Sequence, residues 1–84
     1  MDFKIEENKI YLENTNGEII AEIEFEKRED NKYVIYHTFV DESLRGQGIA
    51  SKLVELAVNE IKSKGGIAEA TCSYAKAWLE KYKS

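Results

Sequence analysis

The hydrophobic period of this chain changes once, and it changes across a glycine loop. Before residue 40 the apolar residues alternate; after residue 48 they recur at three and four. Period two belongs to a strand lying on a core, and a three-four period to a helix lying on one. A chain that switches between them must lay helices on a sheet, which fixes a layered α+β fold. On the strand side, Ile19, Ala21, Ile23 and Phe25 fall on one face, opposite Glu22, Glu24 and Glu26. Tyr33 to Val40 is almost wholly apolar or aromatic and is expected to be the most buried strand. On the helix side, Ile49, Leu53, Leu56, Ala57 and Ile61 form one face. Lys62, Lys64 and Gly65-Gly66 read as its end.

The remaining segments complete the order. A hairpin is expected from Phe3 to about Glu13, with a turn at Asn14–Gly17 and another at Asp30-Asn31. Residues 67–72 read as a short strand. Ser73 reads as the cap of a last helix whose apolar side is Tyr74, Trp78, Leu79 and Tyr82. The expectation is a mostly antiparallel sheet of about five strands, closed by a strand–helix–strand–helix unit with one parallel pair.

Length and charge narrow the possibilities. The 84 residues are expected to make one domain, residues 1–84, with a thin core. One cysteine allows no disulfide within the chain and suits a reducing, cytoplasmic setting. A net charge of −4 argues against nucleic acid as a partner. The polar start, Met1 to Glu7, does not read as a signal peptide, and no apolar run suits a membrane. The pattern leaves the oligomeric state open.

The loop carries the first functional signal. In Val40-Asp41-Glu42-Ser43-Leu44-Arg45-Gly46-Gln47-Gly48-Ile49-Ala50, two glycines sit between a strand and a helix. Inward-pointing amides and the helix N-terminus suit an anion such as a pyrophosphate, and Arg45 adds a charged donor. A tight turn alone would also use these glycines. No Gly-Lys-Ser/Thr follows, so this is not a P-loop, and Ser51 breaks the dinucleotide G-x-G-x-x-G pattern.

Three blocks in order carry a resemblance: His37-Thr38-x-Val40, then Arg45-Gly46-x-Gly48-x-Ala50-x-x-Leu53, then Cys72-Ser73-Tyr74. Together they resemble the miniature branch of the GCN5-related N-acetyltransferases, whose members have roughly ninety residues. The match spans residues 3 to 82. It implies an N-acetyltransferase that uses acetyl-CoA and an unidentified amine acceptor, with no metal. The implied cofactor contacts are the loop, namely Arg45, Gly46, Gln47, Gly48, Ile49 and Ala50, around the CoA pyrophosphate. The backbone of Phe39 and Val40 is implied to bond the pantetheine arm where the central strand splays from its neighbour. Many relatives have proline after this strand and between the cysteine and tyrosine; here Asp41-Glu42 and Ser73 stand in those places.

Three side chains are candidates for the chemistry. Cys72 precedes a helix, where a thiol ionises more readily, and the resemblance places it near the acetyl thioester. An acetyl-cysteine intermediate and direct attack by the amine both fit, and so does a small buried hydrophobe. His37 is expected on one face with Tyr33, Ile35 and Phe39, as a general base near Cys72 or as a core histidine. Tyr74 is either the acid for the departing thiolate or packing for Trp78 and Tyr82. Glu22, Glu24 and Glu26 would attract a cationic amine or simply meet solvent. The alternative to an enzyme is a module that holds CoA or an acyl-CoA without turnover.

Overall fold

The alternating segments form a five-stranded sheet in sequence order, in a computed structural model that describes residues 2–82. The strands are β1 (Lys4–Glu6), β2 (Lys9–Glu13), β3 (Ile19–Lys27), β4 (Lys32–Val40) and β5 (Ile67–Ala70). Strands β1 to β4 pair antiparallel, and β5 runs parallel to β4. The crossover between the parallel pair is helix α1 (Ile49–Ser63), and α2 (Ser73–Tyr82) follows β5. This is the α+β arrangement that the change of period requires. No helix among the described residues is long and apolar enough to cross a membrane.

One face of the sheet is the core. Ile10 and Leu12 of β2, Ala21, Ile23 and Phe25 of β3, and Tyr33 and Ile35 of β4 meet α1 there. Helix α1 contributes Ile49, Leu53, Val54, Ala57, Val58 and Ile61, a stripe recurring at three and four. Helix α2 is held beside α1 by a bond from the Trp78 indole N–H to the Ser51 hydroxyl, 2.9 Å. Only Ala75 of α2 is fully buried; Trp78 is half-buried, and the Tyr74 and Tyr82 rings stay exposed. The expected apolar side of this helix is therefore wetter than its sequence suggested. Trp78 and Tyr82 do pack, with ring centroids 4.6 Å apart.

Two register shifts correct the alternation read from the sequence. Leu12 pairs Ala21 but Glu13 pairs Ile19, so Ile20 is an extra residue. Ile20 then packs against the core while Ile19 is exposed. In β4, Ile35 pairs Phe25 and His37 pairs Glu24, which leaves Tyr36 as the extra residue of a β-bulge. A bulge reverses the side-chain parity beyond it. Only Tyr33, Val34 and Ile35 of β4 are buried, and the strand from Tyr36 onward is not the most buried of the set.

The end of α1 shows how closely the layers approach. Gly65, at φ +76°, follows the helix, and the amides of Gly65 and Gly66 donate to the carbonyls of Lys62 and Ile61, each at 2.9 Å. A Cβ on Gly66 would lie 2.4 Å from the Tyr33 ring. Gly66→Ala is therefore expected to cost about 1–3 kcal/mol through overpacking. Urea unfolding measures it, and an unchanged midpoint would show that the Tyr33 ring moves aside freely.

Candidate active site

The loop after β4 is built by short-range bonds. Asp41 accepts from the Ser43 amide at 3.0 Å and from the Ser43 hydroxyl at 2.6 Å. These bonds hold the Asp41 carboxyl below its usual range. They fix a 3-10 turn, Glu42–Leu44, so a side-chain cap stands where relatives have proline. The amides of Arg45 and Gln47 then donate to the carbonyls of Glu42 and Leu44, at 3.1 and 3.4 Å. Two of the six amides expected to cradle an anion are thus already engaged.

The others are not. Gly46 and Gly48 take φ +84° and +71°, and Gly48 caps α1 in the left-handed region with no side-chain acceptor. The first amide of α1 to find a helical partner is Lys52, which donates to Gly48 at 3.1 Å. Ile49, Ala50 and Ser51 therefore present the unpaired donors of a helix start, and no acidic residue lies in that first turn. This amide cluster, with Arg45 beside it, has the charge and geometry to hold a phosphate.

A cleft of about 400 Å³ leads from the cradle along β4. It is lined by Arg45, Gly46, Gly48, Ile49 and Ala50 of the loop, by Thr38 and Val40 of β4, and by Tyr74 of α2. Gln47 and Phe39 do not line it. The backbone explains why Phe39 is outside. Asp41 donates to Ile20 across the β3 pair at 2.8 Å. Alternation in an antiparallel ladder then turns Phe39 toward β3, and Thr38 and Val40 toward the other side. That side is open, because β5 pairs only as far as Ile35. The amides of Thr71 and Cys72 both converge on the Ile35 carbonyl, at 3.0 and 3.3 Å. Beyond that point the two strands part. Thr38 takes the place expected for Phe39, a shift of one residue that follows from the bulge.

Cys72 sits where the strands part. Its carbonyl accepts from the Lys76 amide at 2.9 Å, so Cys72 rather than Ser73 caps α2. Its thiol donates to the Thr38 hydroxyl, Sγ–Oγ1 3.4 Å. Burial opposes ionisation, yet the Thr38 hydroxyl and the amides of Ala75, Tyr74 and Thr38 outweigh it and hold the thiol below its ordinary value. Alkylation by iodoacetamide follows the thiolate, so its rate is expected to rise at lower pH than for a free thiol. Thr38→Val removes one stabilising bond and is expected to move that midpoint upward. Identical profiles for the two proteins would remove Thr38 from the thiol's environment.

His37 has a different neighbour from the one expected. The bulge turns it away from Tyr33 and Ile35, onto the face shared with Glu22, Glu24 and Phe39. Its Nε2 lies 3.4 Å from Glu22 Oε2, and the side chain is 43% exposed. It is neither a core histidine nor a hydrogen-bond partner of Cys72, whose recorded side-chain partner is Thr38. Thr38 itself was missed by the sequence reading, because its importance depends on the parity that the bulge reverses.

A sheet that opens beside its central strand, with an amide cradle at the foot of the opening, is suited to a ligand that carries a phosphate on an extended arm. Comparison with known proteins places it further. Residues 7–84 match the family model described as GCN5-related N-acetyl-transferase, and the chain belongs to that family. A GCN5-like protein from Staphylococcus aureus, solved by NMR, is 36% identical with a TM-score of 0.76. That match covers 95% of this chain and 78% of the Staphylococcus chain. An acetyltransferase from Bacillus cereus is 26% identical with a TM-score of 0.60, covering 68% of this chain and 40% of that one. The fold is shared with an IAA acetyltransferase from Bacillus cereus, 23% identical, TM-score 0.68, covering 87% and 51% of the two chains. A search among curated proteins found no match.

Proposed function

We propose that this chain transfers an acetyl group from acetyl-CoA to an amine. The observation that carries the reading is the continuous cleft from the amide cradle to the open edge of β4. The cradle of Gly46, Gly48, Ile49 and Ala50 suits the pyrophosphate, with Arg45 as a charged donor. The Thr38 carbonyl and the backbone groups of Val40 suit the amides of the pantetheine arm, which would lie as an added strand. The thioester then falls near Cys72 and Tyr74.

The thiol at the start of α2 supports a covalent route. The Cys72 thiolate bonds to the acetyl carbon, the bond from that carbon to the CoA sulfur breaks, and Tyr74 supplies a proton to the departing thiolate. An amine then attacks acetyl-Cys72 and returns the thiol. Mixing the protein with acetyl-CoA tests both parts. Thermal stabilisation and thiol release with an amine support the transferase. An intact-mass gain of one acetyl group, absent from Cys72→Ala, supports the covalent step. Full turnover by Cys72→Ala leaves direct attack, and stabilisation with no thiol release leaves a binding module.

A further inference from the structure

We infer that the adenine ring and 3′-phosphate of CoA dock in a second cavity, between the start of α1 and helix α2. This rests on the acetyl-CoA reading above. The cavity has a volume of about 270 Å³ and is lined by Ser51, Tyr74, Ala77, Trp78, Lys81 and Tyr82. Ser51 and Tyr74 also line the cleft that starts at the cradle, so the two spaces share a wall.

The ligand's own connectivity asks for such a site. A pyrophosphate seated on the amides of α1 carries two arms. The pantetheine follows β4 toward Cys72, so the nucleoside has to leave the cradle in another direction. Three further cavities are candidates. The largest, about 680 Å³ between α1, β5 and α2, shares no lining residue with the cleft. The space beside β1 and β2 shares Leu44 with it, but contains Asp2 and Glu13, and its Lys4 is already paired with Glu13. Carboxylates there oppose a phosphate. The cavity beside α2 contains no carboxylate, and its cation, Lys81, has no ion-pair partner among the described residues. Continuity and charge select the same place.

The walls suit a purine. Trp78 and Tyr82 lie with their ring planes 37° apart. Tyr74 and Tyr82 are 43% and 56% exposed, an aromatic group that the chain leaves unburied. The Trp78 indole N–H already donates to the Ser51 hydroxyl, so the ring is held in one plane and presents its π-face rather than its donor. Ser51 belongs to the turn of α1 whose amides are unpaired, so one residue ties the stacking ring to the cradle. Lys81 Nζ lies 5.5 Å from the Tyr82 ring centre, which sets the ammonium beside the ring. A base stacks on such rings through its π-face, and an ammonium suits a phosphate as a point charge. Lys81 also stands in the last turn of α2, where a cation favours the helix by itself. Only the first role depends on the 3′-phosphate.

Calorimetric titration with CoA and 3′-dephospho-CoA tests this, with the emission of Trp78, the one tryptophan of the chain, followed alongside. CoA is expected to bind about fivefold tighter than its 3′-dephospho form, and both are expected to quench Trp78. In Lys81→Gln the ratio is expected to fall to about one. Lys76→Gln, on the groove that shares nothing with the cleft, is expected to keep the wild-type ratio. Tyr82→Ala removes a largely exposed ring and is expected to weaken both forms about fivefold while keeping their ratio. Equal affinity for CoA and 3′-dephospho-CoA, an unchanged ratio in Lys81→Gln, unchanged affinity in Tyr82→Ala, or CoA binding that leaves Trp78 emission unaltered would overturn the nucleotide pocket and leave the cofactor reading intact. Absence of CoA binding would overturn both.

Discussion

Phe25→Ala is expected to lose about 3–5 kcal/mol of stability, the cost of emptying a large, fully enclosed core site. A domain of this size has only about 4–12 kcal/mol in total. The variant is therefore expected to be largely unfolded or to melt far below the wild type. Phe25 is the largest of the fully buried side chains, and it stands beside Ile35 at the register shift that creates the β4 bulge. Urea unfolding followed by tryptophan fluorescence and far-UV circular dichroism measures the loss. A change below about 1 kcal/mol would mean that α1 collapses into the space, and that the core is more plastic than this packing implies.

The second large effect is on binding. A Cβ on Gly48 meets nothing within 4 Å, so Gly48→Ala fits sterically. The difficulty is the backbone, because φ +71° disfavours any residue with a side chain by about 1–2 kcal/mol. Relaxing that strain rotates the amides of Gly48 and Ile49 away from the cradle. The variant is expected to stay folded and to bind acetyl-CoA at least about tenfold more weakly. Gly65→Ala is the control, because it imposes the same strain, at φ +76° and in open space, at the opposite end of α1 from the cradle. Equal acetyl-CoA affinity in wild type and Gly48→Ala would separate the cradle from the cofactor.

Much of the fold was legible because the forces that make it are local. The alternation of Ala21, Ile23 and Phe25 and the stripe of Leu53, Ala57 and Ile61 each state which face is buried. The cradle was legible for the same reason, since glycine before a helix start is a local backbone property. What escaped was set by pairing between distant residues. Nothing between Tyr33 and Val40 announces that Tyr36 will be left over, because both strands keep extended geometry through the bulge. The error then propagated: His37 was placed on the face with Tyr33 and Ile35, Phe39 stood in for Thr38, and Ile19 for Ile20. The cap of α2 was misplaced by one residue because Ser73 is the more familiar capping type. Cys72 holds the position, and that explains its thiol better than sequence adjacency to a helix did.

The bulge at Tyr36 acts as a phase shift within a single strand. The first half of β4 is read in one phase and fills the core with Tyr33 and Ile35. The second half is read in the other, so it offers Thr38 to one side of the sheet and His37 to the opposite side. One strand thereby serves three surfaces. The side chain at the shift is itself exposed, so its chemical identity is weakly constrained. Its presence is not. A substitution at residue 36 changes one surface group, whereas a deletion there would exchange the roles of every residue from 37 to 40. For this strand, length carries more of the specification than composition does.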